Sequence, residues 1–568
     1  MRTIPFALCC IVHSLPVAPQ FFVLGAVALL LPNTSVQAEK ISRISLNTIG
    51  YLPNAPKRAS IVGADGAFRI ERLPDETAVL EGTLSPSEPG EDANETIAVA
   101  DFSRLAEPGE YRLVVAGIGP SARFRVAVDL YREPFIVATR AMYLWRCGAA
   151  VSGEHHGVKF EHEACHLEDA YLDFVGGGHV RRESVGGWHD AGDYNKYIVN
   201  AGVTVGVMFR AWEDFRLQIE SIPLDLPESG DKFPDFLAEL KWEIDWLLTM
   251  QADDGSVYHK LSTKDFGGFI PPEQETEPRY FTPWSTAATA DFIAMLAMAA
   301  RYFAPYDAEY SAKCLAAARK SHAFLQLHPE ERHADHRGFK TGGYDSPDGD
   351  DRLWADAEMW ATTGDAGALA ACERQLHYDS GRNAKADVDW DWPNVRNLGL
   401  LTYLFSERGG RDPKLVEHVR EGVIAAADEI VQTANEHGYA RPLGSKYYWG
   451  CNGTVARQTL VLQAAFRLTG NEAYRAAGLD ALNHLFGRNY YGRSFVTGLG
   501  RRPPLHPHDR RSGGDMVSAP WPGYLVGGPN PKATDWRDLQ EDYRTNETAI
   551  NWNGALIYAL AAYLPTRP

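Results

Sequence analysis

From residue 40 to about 128 the apolar and polar positions alternate in short runs. ISRISLNTIGYLP, KRASIV, YRLVVAG and ARFRVAV are rich in Val, Ile, Tyr and Phe, with Gly, Pro, Asp and Asn between them. A period of two with such punctuation predicts a small all-β domain over 40–128. The step Pro108-Gly109-Glu110 ahead of Tyr111 fits a turn feeding a strand. From about 130 the period lengthens. Pro134 suits the start of a helix running through Arg146. Residues 234–251 place Phe236, Leu237, Leu240, Ile244, Leu247 and Leu248 on one helical face. Helical runs also lie near 199–217, 284–303, 308–327, 351–363, 395–407, 414–434, 453–468, 472–486 and 548–563, eleven in all, without βα alternation. The chain therefore reads as mainly α. Periodicity alone does not say which array of antiparallel helix pairs it forms.

The first 38 residues follow neither pattern. Arg2 gives a weak positive start, Phe21 to Leu31 an apolar core, and Val36-Gln37-Ala38 ends as a signal-peptidase site would. An export signal over 1–38 is expected, with a periplasmic or secreted mature protein; an uncleaved anchor is the rival reading. The apolar run is short for a full span. The formal net charge of −18 argues against nucleic acid or an anionic membrane as partner. The 14 Trp and 25 Tyr fit sugar stacking and equally fit an aromatic core.

Candidate chemistry concentrates at 186–197, GGWHDAGDYNKY. Asp190 and Asp193 stand three apart, with Gly186, Gly187 and Gly192 loosening the backbone and Trp188, Tyr194 and Tyr197 around them. Paired carboxylates among rings suit a site that binds sugar and handles protons; a structural turn and a calcium loop are the alternatives. Near the other end stand HPHDRR at 506–511 and DYRTNETAINWN at 542–553, with Glu547 just ahead of an apolar run. Taken alone, Glu547 would read as an acid in a helix's first turn.

In that order the three blocks resemble glycoside hydrolase family 9, over nearly everything after the leader. The resemblance implies an (α/α)6 barrel at 130–568, which needs twelve helices, behind an immunoglobulin-like β-sandwich. That module usually opens Asn-Gln-x-Gly-Tyr, whereas Asn47-Thr48-Ile49-Gly50-Tyr51 departs at the Gln. Its expected task is to brace the larger domain. The implied reaction is hydrolysis of β-1,4-glucosidic bonds with inversion. Asp193 would be the base, Glu547 the acid, and Asp190 would help hold the water and keep Asp193 charged. His508 and Arg510 match the family's sugar-contacting pair. Trp284, Tyr448 and Trp449 are candidate stacking platforms and equally candidate packing residues. Ile550 and Trp552 are expected to supply an apolar surround for Glu547.

Cys147 and the pair Cys165-His166, with His189 completing the set, offer thiolate and imidazole ligands suited to zinc. A Cys147–Cys165 disulfide competes on spacing alone. The resemblance favours zinc, with His162 or the His155-His156 pair as substitutes for His189. Cys314 and Cys372 sit in Ala-rich, helix-like runs and read as buried small residues. Asp350 and Asp351 ahead of Leu353-Trp354, with Thr363-Gly364-Asp365 following, resemble the family's calcium-binding stretch, though an acidic helix start accounts for them as well.

A monomeric endo-β-1,4-glucanase acting on cellulose or related β-glucans, with no cofactor in catalysis, is the leading expectation. The rivals are an exo-acting cellodextrinase, β-glucosidase or exo-glucosaminidase on short chains, and more remotely a polysaccharide lyase or a non-catalytic sugar-binding protein.

Overall fold

The computed structural model describes residues 42–90, 92–380 and 385–566; the leader at 1–38 lies outside them. Nine strands open the described chain: β1 Ile44–Ser45, β2 Gly50–Tyr51, β3 Arg58–Val62, β4 Ala67–Arg72, β5 Thr77–Thr83, β6 Glu88–Gly90, β7 Glu95–Asp101, β8 Gly109–Val115 and β9 Gly119–Val126. They form two sheets, β1-β3-β7-β6 and β2-β9-β8-β4-β5. The alternation read from sequence sets the inward faces: Tyr111, Leu113 and Val115 of β8 are buried, as are Phe68 and Ile70 of β4. Tyr51 meets Phe102 and Phe124 edge to face at 5.2 and 5.5 Å in the core.

The Asn47–Tyr51 stretch docks this sandwich onto the helices. Asn47 Nδ2 donates to Asn483 Oδ1 at 3.0 Å and to the Tyr131 hydroxyl at 3.2 Å. Gly50 has φ +131°, and a Cβ there would stand 2.0 Å from the Arg125 carbonyl oxygen, so no other residue fits. Thr48, where the resemblance expects Gln, still docks: its N–H and Oγ1 both reach the Phe486 carbonyl, at 3.0 and 2.6 Å. Polar contacts made by this stretch thus join the sandwich to the helices.

Twelve long helices follow: α1 Arg132–Leu144, α2 Ile198–Ile219, α3 Asp235–Thr249, α4 Thr286–Phe303, α5 Ala308–Leu327, α6 Gly349–Thr363, α7 Ala366–Ser380, α8 Arg396–Phe405, α9 Pro413–Glu436, α10 Cys451–Thr469, α11 Glu472–Leu485 and α12 Ile550–Ala561. The even-numbered helices form an inner ring: α2 packs on α4, α4 on α6, α6 on α8, α10 on α12, and α12 back on α2. Inner helices are buried almost all round; every residue of α12 is. Outer helices bury one stripe, such as Leu415, Val419, Val423, Ala426 and Ile430 of α9. Helix α7 is the one the periodicity did not bound. Its buried stripe, Ala368, Cys372 and Leu376, is mostly small side chains and gives little contrast with its polar face.

Loops at the amino ends of α2 and α12 carry the DAGD and Asn-Glu blocks, so ring closure brings opposite ends of the chain together. A five-stranded sheet, absent from the sequence reading, lies beside them: Gly178–Arg182, Ala170–Leu172, Tyr280–Phe281, Lys260–Ser262 and Lys196–Tyr197 in spatial order.

Candidate active site and metal centre

The three blocks meet through backbone bonds. The Ile550 N–H, a free donor at the start of α12, is accepted by the Asp190 carbonyl at 2.9 Å. His508 N–H donates to the Asn546 carbonyl at 2.8 Å, and Arg510 N–H to the Gly192 carbonyl at 3.2 Å. Gly192 is the crossing point of the first two blocks, because an added Cβ would sit 2.4 Å from the His508 carbonyl oxygen.

Asp190 is buried, with Oδ1 accepting from Asn200 Nδ2 and Oδ2 from the Tyr344 hydroxyl, both at 2.7 Å. Asp193 Oδ2 accepts from Asn195 Nδ2 at 2.6 Å and from the Tyr197 hydroxyl at 3.0 Å, a network that leaves out Oδ1. Burial and the neighbouring Asp193 charge push Asp190 well above the usual carboxylate range. Burial also raises Asp193, against Arg510 and its two donors. Glu547 precedes α12 in extended backbone rather than lying in its first turn. Burial, then the charges of Asp193 and Asp190, hold its carboxyl well above the normal value. Trp552 packs on Gly450, Gly453 and Gly527, and the Gly527 N–H donates to the Glu547 carbonyl at 2.9 Å.

His508 Nδ1 lies 2.6 Å from the Gln540 carbonyl, which can only accept, so Nδ1 carries the proton and Nε2 a lone pair. Burial lowers its pKa and favours the neutral ring. Arg510 is buried, bonded through Nη1 to the Gly192 carbonyl at 2.5 Å and through Nε to the Gly267 carbonyl at 3.0 Å.

The proposed platforms separate. Trp449 is 50% exposed and meets Tyr543 at 5.4 Å; Tyr543 in turn meets His508 at 6.0 Å, so a row of rings leads outward from the site. The Tyr448 hydroxyl is committed to Asp389 and Thr454. Trp284 is a packing residue, with the Arg332 guanidinium over its ring at 4.2 Å and Phe324 against it edge-on. Tyr344, Asn195 and Asn200, which position the two aspartates, escaped the sequence reading.

All five cysteines that follow the leader are free, so the disulfide alternative falls. The ligand atoms of Cys147, Cys165, His166 and His189 lie within 4.8 Å of one another. Cys147 Sγ–His166 Nδ1 and Cys165 Sγ–His189 Nε2 are both 3.7 Å, and the two imidazole nitrogens are 3.4 Å apart. Around tetrahedral zinc, bond lengths of ~2.3 Å to sulfur and ~2.05 Å to nitrogen require separations of about 3.6 and 3.3 Å. The donor set fits that metal. Glu275 Oε2 stands 3.3 Å from His166 Nε2, as an outer carboxylate orienting a ligand would. The substitutes His162 and the His155-His156 pair are not among the side chains gathered there.

Asp350 and Asp351 point to different partners. Successive residues of a helix point about 100° apart, and here Asp350 Oδ2 accepts the Val395 N–H while the buried Asp351 is paired with Asp291. Among the described residues the Cys–His set alone brings three or more such side chains within reach of one ion. The pair forms the acidic first turn of α6.

Glycosyl hydrolase family 9 matches residues 131–560, and the cellulase N-terminal ig-like domain matches 39–120. Endoglucanase D of Acetivibrio thermocellus is 52% identical over 544 residues, covering 94% of this chain and 86% of that protein. A metagenome-derived glycoside hydrolase family 9 endoglucanase superposes with a TM-score of 0.86 at 34% identity, covering 92% of this chain and 99% of the other. A Zn-binding triple mutant of the family 9 endoglucanase J30 gives 0.85 at 33% identity, covering 91% and 100%.

Proposed function

Since the chain belongs to glycosyl hydrolase family 9, we propose that its three buried carboxyls divide the labour of cleaving a β-1,4-glucosidic bond. The protein is a glycoside hydrolase of the cellulase type, and its substrate is a β-1,4-glucan. Asp193 takes the proton of the attacking water and Glu547 gives one to the leaving oxygen, on opposite faces of the sugar. Asp190 holds the water beside Asp193. The observation that carries this reading is the raised carboxyl of Glu547 beside two aspartates, since a general acid must arrive protonated. His508 and Arg510 bind the hydroxyls flanking the cleaved bond. Trp449, open to solvent at the end of the aromatic row, gives a chain a platform beyond the site and favours internal cleavage.

Cys147, Cys165, His166 and His189 hold one structural zinc, which supplies cross-linking of the catalytic loop and no acid or base. The leader directs export, and the mature enzyme acts as a monomer outside the cytoplasm. Proton NMR of early products from cello-oligosaccharides tests the roles. The first sugar released should be the α anomer; a β anomer overturns the assignment of Asp193 as base.

A further inference from the structure

The segment from Phe266 to Phe281 lies between the Cys–His centre and both catalytic blocks, and two of its charged residues serve neither surface nor chemistry. Arg279 and Glu275 are each 8% exposed. The Arg279 Nη2 donates to the Tyr194 carbonyl at 2.8 Å, one residue beyond Asp193, and its Nη1 to Cys147 Sγ at 3.8 Å. Glu275 pairs with His166 on one side. On the other, its Oε1 would lie 2.3 Å from a Cβ on Gly267, whose carbonyl receives Arg510 Nε. The Tyr194 hydroxyl closes the frame by donating to the Ile270 carbonyl at 2.6 Å. Two contiguous routes therefore leave the four-ligand centre, one ending on the base loop and one on the arginine that faces Asp193 and Glu547.

We propose that Arg279 and Glu275 are positioning residues that make the geometry of Asp193 and Arg510 depend on the Cys–His centre. This rests on reading that centre as a metal site. A guanidinium placed between a metal-bound thiolate and a backbone carbonyl holds both, because a planar fork can donate in two directions at once. A carboxylate on the outer nitrogen of a ligating imidazole fixes the ring's orientation. Misplacing a reacting group by about 1 Å costs a rate on the order of 10²-fold, so small slack in either tether is expected in kcat.

The test compares Arg279→Met, Arg279→Lys and Glu275→Gln with the wild type. Four measurements are made: zinc per chain, zinc loss to a chelator, kcat and KM on cellopentaose, and amide hydrogen exchange over 190–197. Arg279→Met should keep one zinc, lose kcat at least about 10-fold with KM within about twofold, and exchange faster over 190–197. Arg279→Lys, which restores one donor, should recover part of kcat. Glu275→Gln should lose zinc roughly 10-fold more readily. Stripping zinc should cost the wild type more kcat than it costs Arg279→Met, since the two perturbations act on one route. Full kcat in Arg279→Met, or zinc removal that multiplies its loss independently, overturns the proposal. A wild type without zinc overturns the metal reading instead, and kcat and exchange in Arg279→Met then judge the Tyr194 tether by itself.

Discussion

Gly192 is the point at which a single methyl group should separate catalysis from folding. Its backbone is not in the left-handed region, so the requirement is for room. A Cβ would stand 2.4 Å from the His508 carbonyl oxygen and 2.7 Å from His508 Cδ2. Comfortable contact needs about 3.5 Å, so the DAGD loop and the His508 loop must part by roughly 1 Å. Neither can yield by turning a side chain. His508 is held by its N–H to Asn546 and its Nδ1 to Gln540, and the Gly192 carbonyl takes two bonds from Arg510. Overpacking of this kind costs about 1–3 kcal/mol of stability. The same displacement moves Asp193 relative to His508 and Glu547 and should lower kcat on the order of 10²-fold. The assay is steady-state hydrolysis of cellopentaose beside a thermal melt of Gly192→Ala. Gly268→Ala is the control, in a neighbouring loop where an added Cβ meets nothing within 4 Å. If Gly192→Ala hydrolyses within about twofold of the wild type, the inference that this crossing sets the catalytic geometry is wrong.

Glu547→Gln should nearly abolish hydrolysis of cello-oligosaccharides yet retain more activity on a dinitrophenyl glycoside, whose leaving group departs without a proton; Asp193→Asn should lose both substrates. Burial makes ionised Glu547 costly in the fold, so stability from this group is present below its unfolded value of ~4.3 and is lost as pH rises through the raised folded value. Glu547→Gln should accordingly melt above the wild type at neutral pH and level with it at about pH 4, as calorimetry would read. Arg510→Gln should move both limbs of the kcat/KM profile to higher pH, because Arg510 lowers Asp193 and Glu547 alike; a uniform loss of rate with the limbs in place would count against that role. Cys165→Ser should remove about one zinc per chain and lower the melting temperature, with metal analysis and a melt as readouts.

Each of the eleven helices read from the pattern corresponds to a helix of the barrel, because each carries a long run or a clear stripe. Helix α7, whose run around Cys372 reads as helix-like, gets no bounds from the pattern because Ala368 and Cys372 contribute little hydrophobic contrast. The five-stranded sheet beside the site escaped for a different reason. Strands of two to five residues, such as Lys196–Tyr197, leave no period to detect. The candidate carboxyls were legible because their motifs are local. One distant support was not: Tyr344 reaches Asp190 across 154 positions, and only closure of the ring puts them in contact. Trp284 and Asp351 show the converse, since a ring or an acid in the right stretch says nothing of the Arg332 or Asp291 that the fold sets against it.

Three carboxyls enclosed together cannot ionise independently, so the distribution of protons among them is a property of the fold. Asp193 has Arg510, Asn195 and Tyr197 to stabilise its charge, with burial opposing them. Asp190 is opposed by burial and by the charge of Asp193, with only the Asn200 and Tyr344 donors favouring its charge. Glu547 meets burial and both aspartate charges, against Arg510 and the Gly192 N–H. Arg510 and two donors favour the charge on Asp193, and that charge strengthens the hold of Glu547 on its proton. The same mutual repulsion sets the proposed acid apart from the proposed base. The loop crossing at Gly192 is what holds them close enough for that repulsion to be felt.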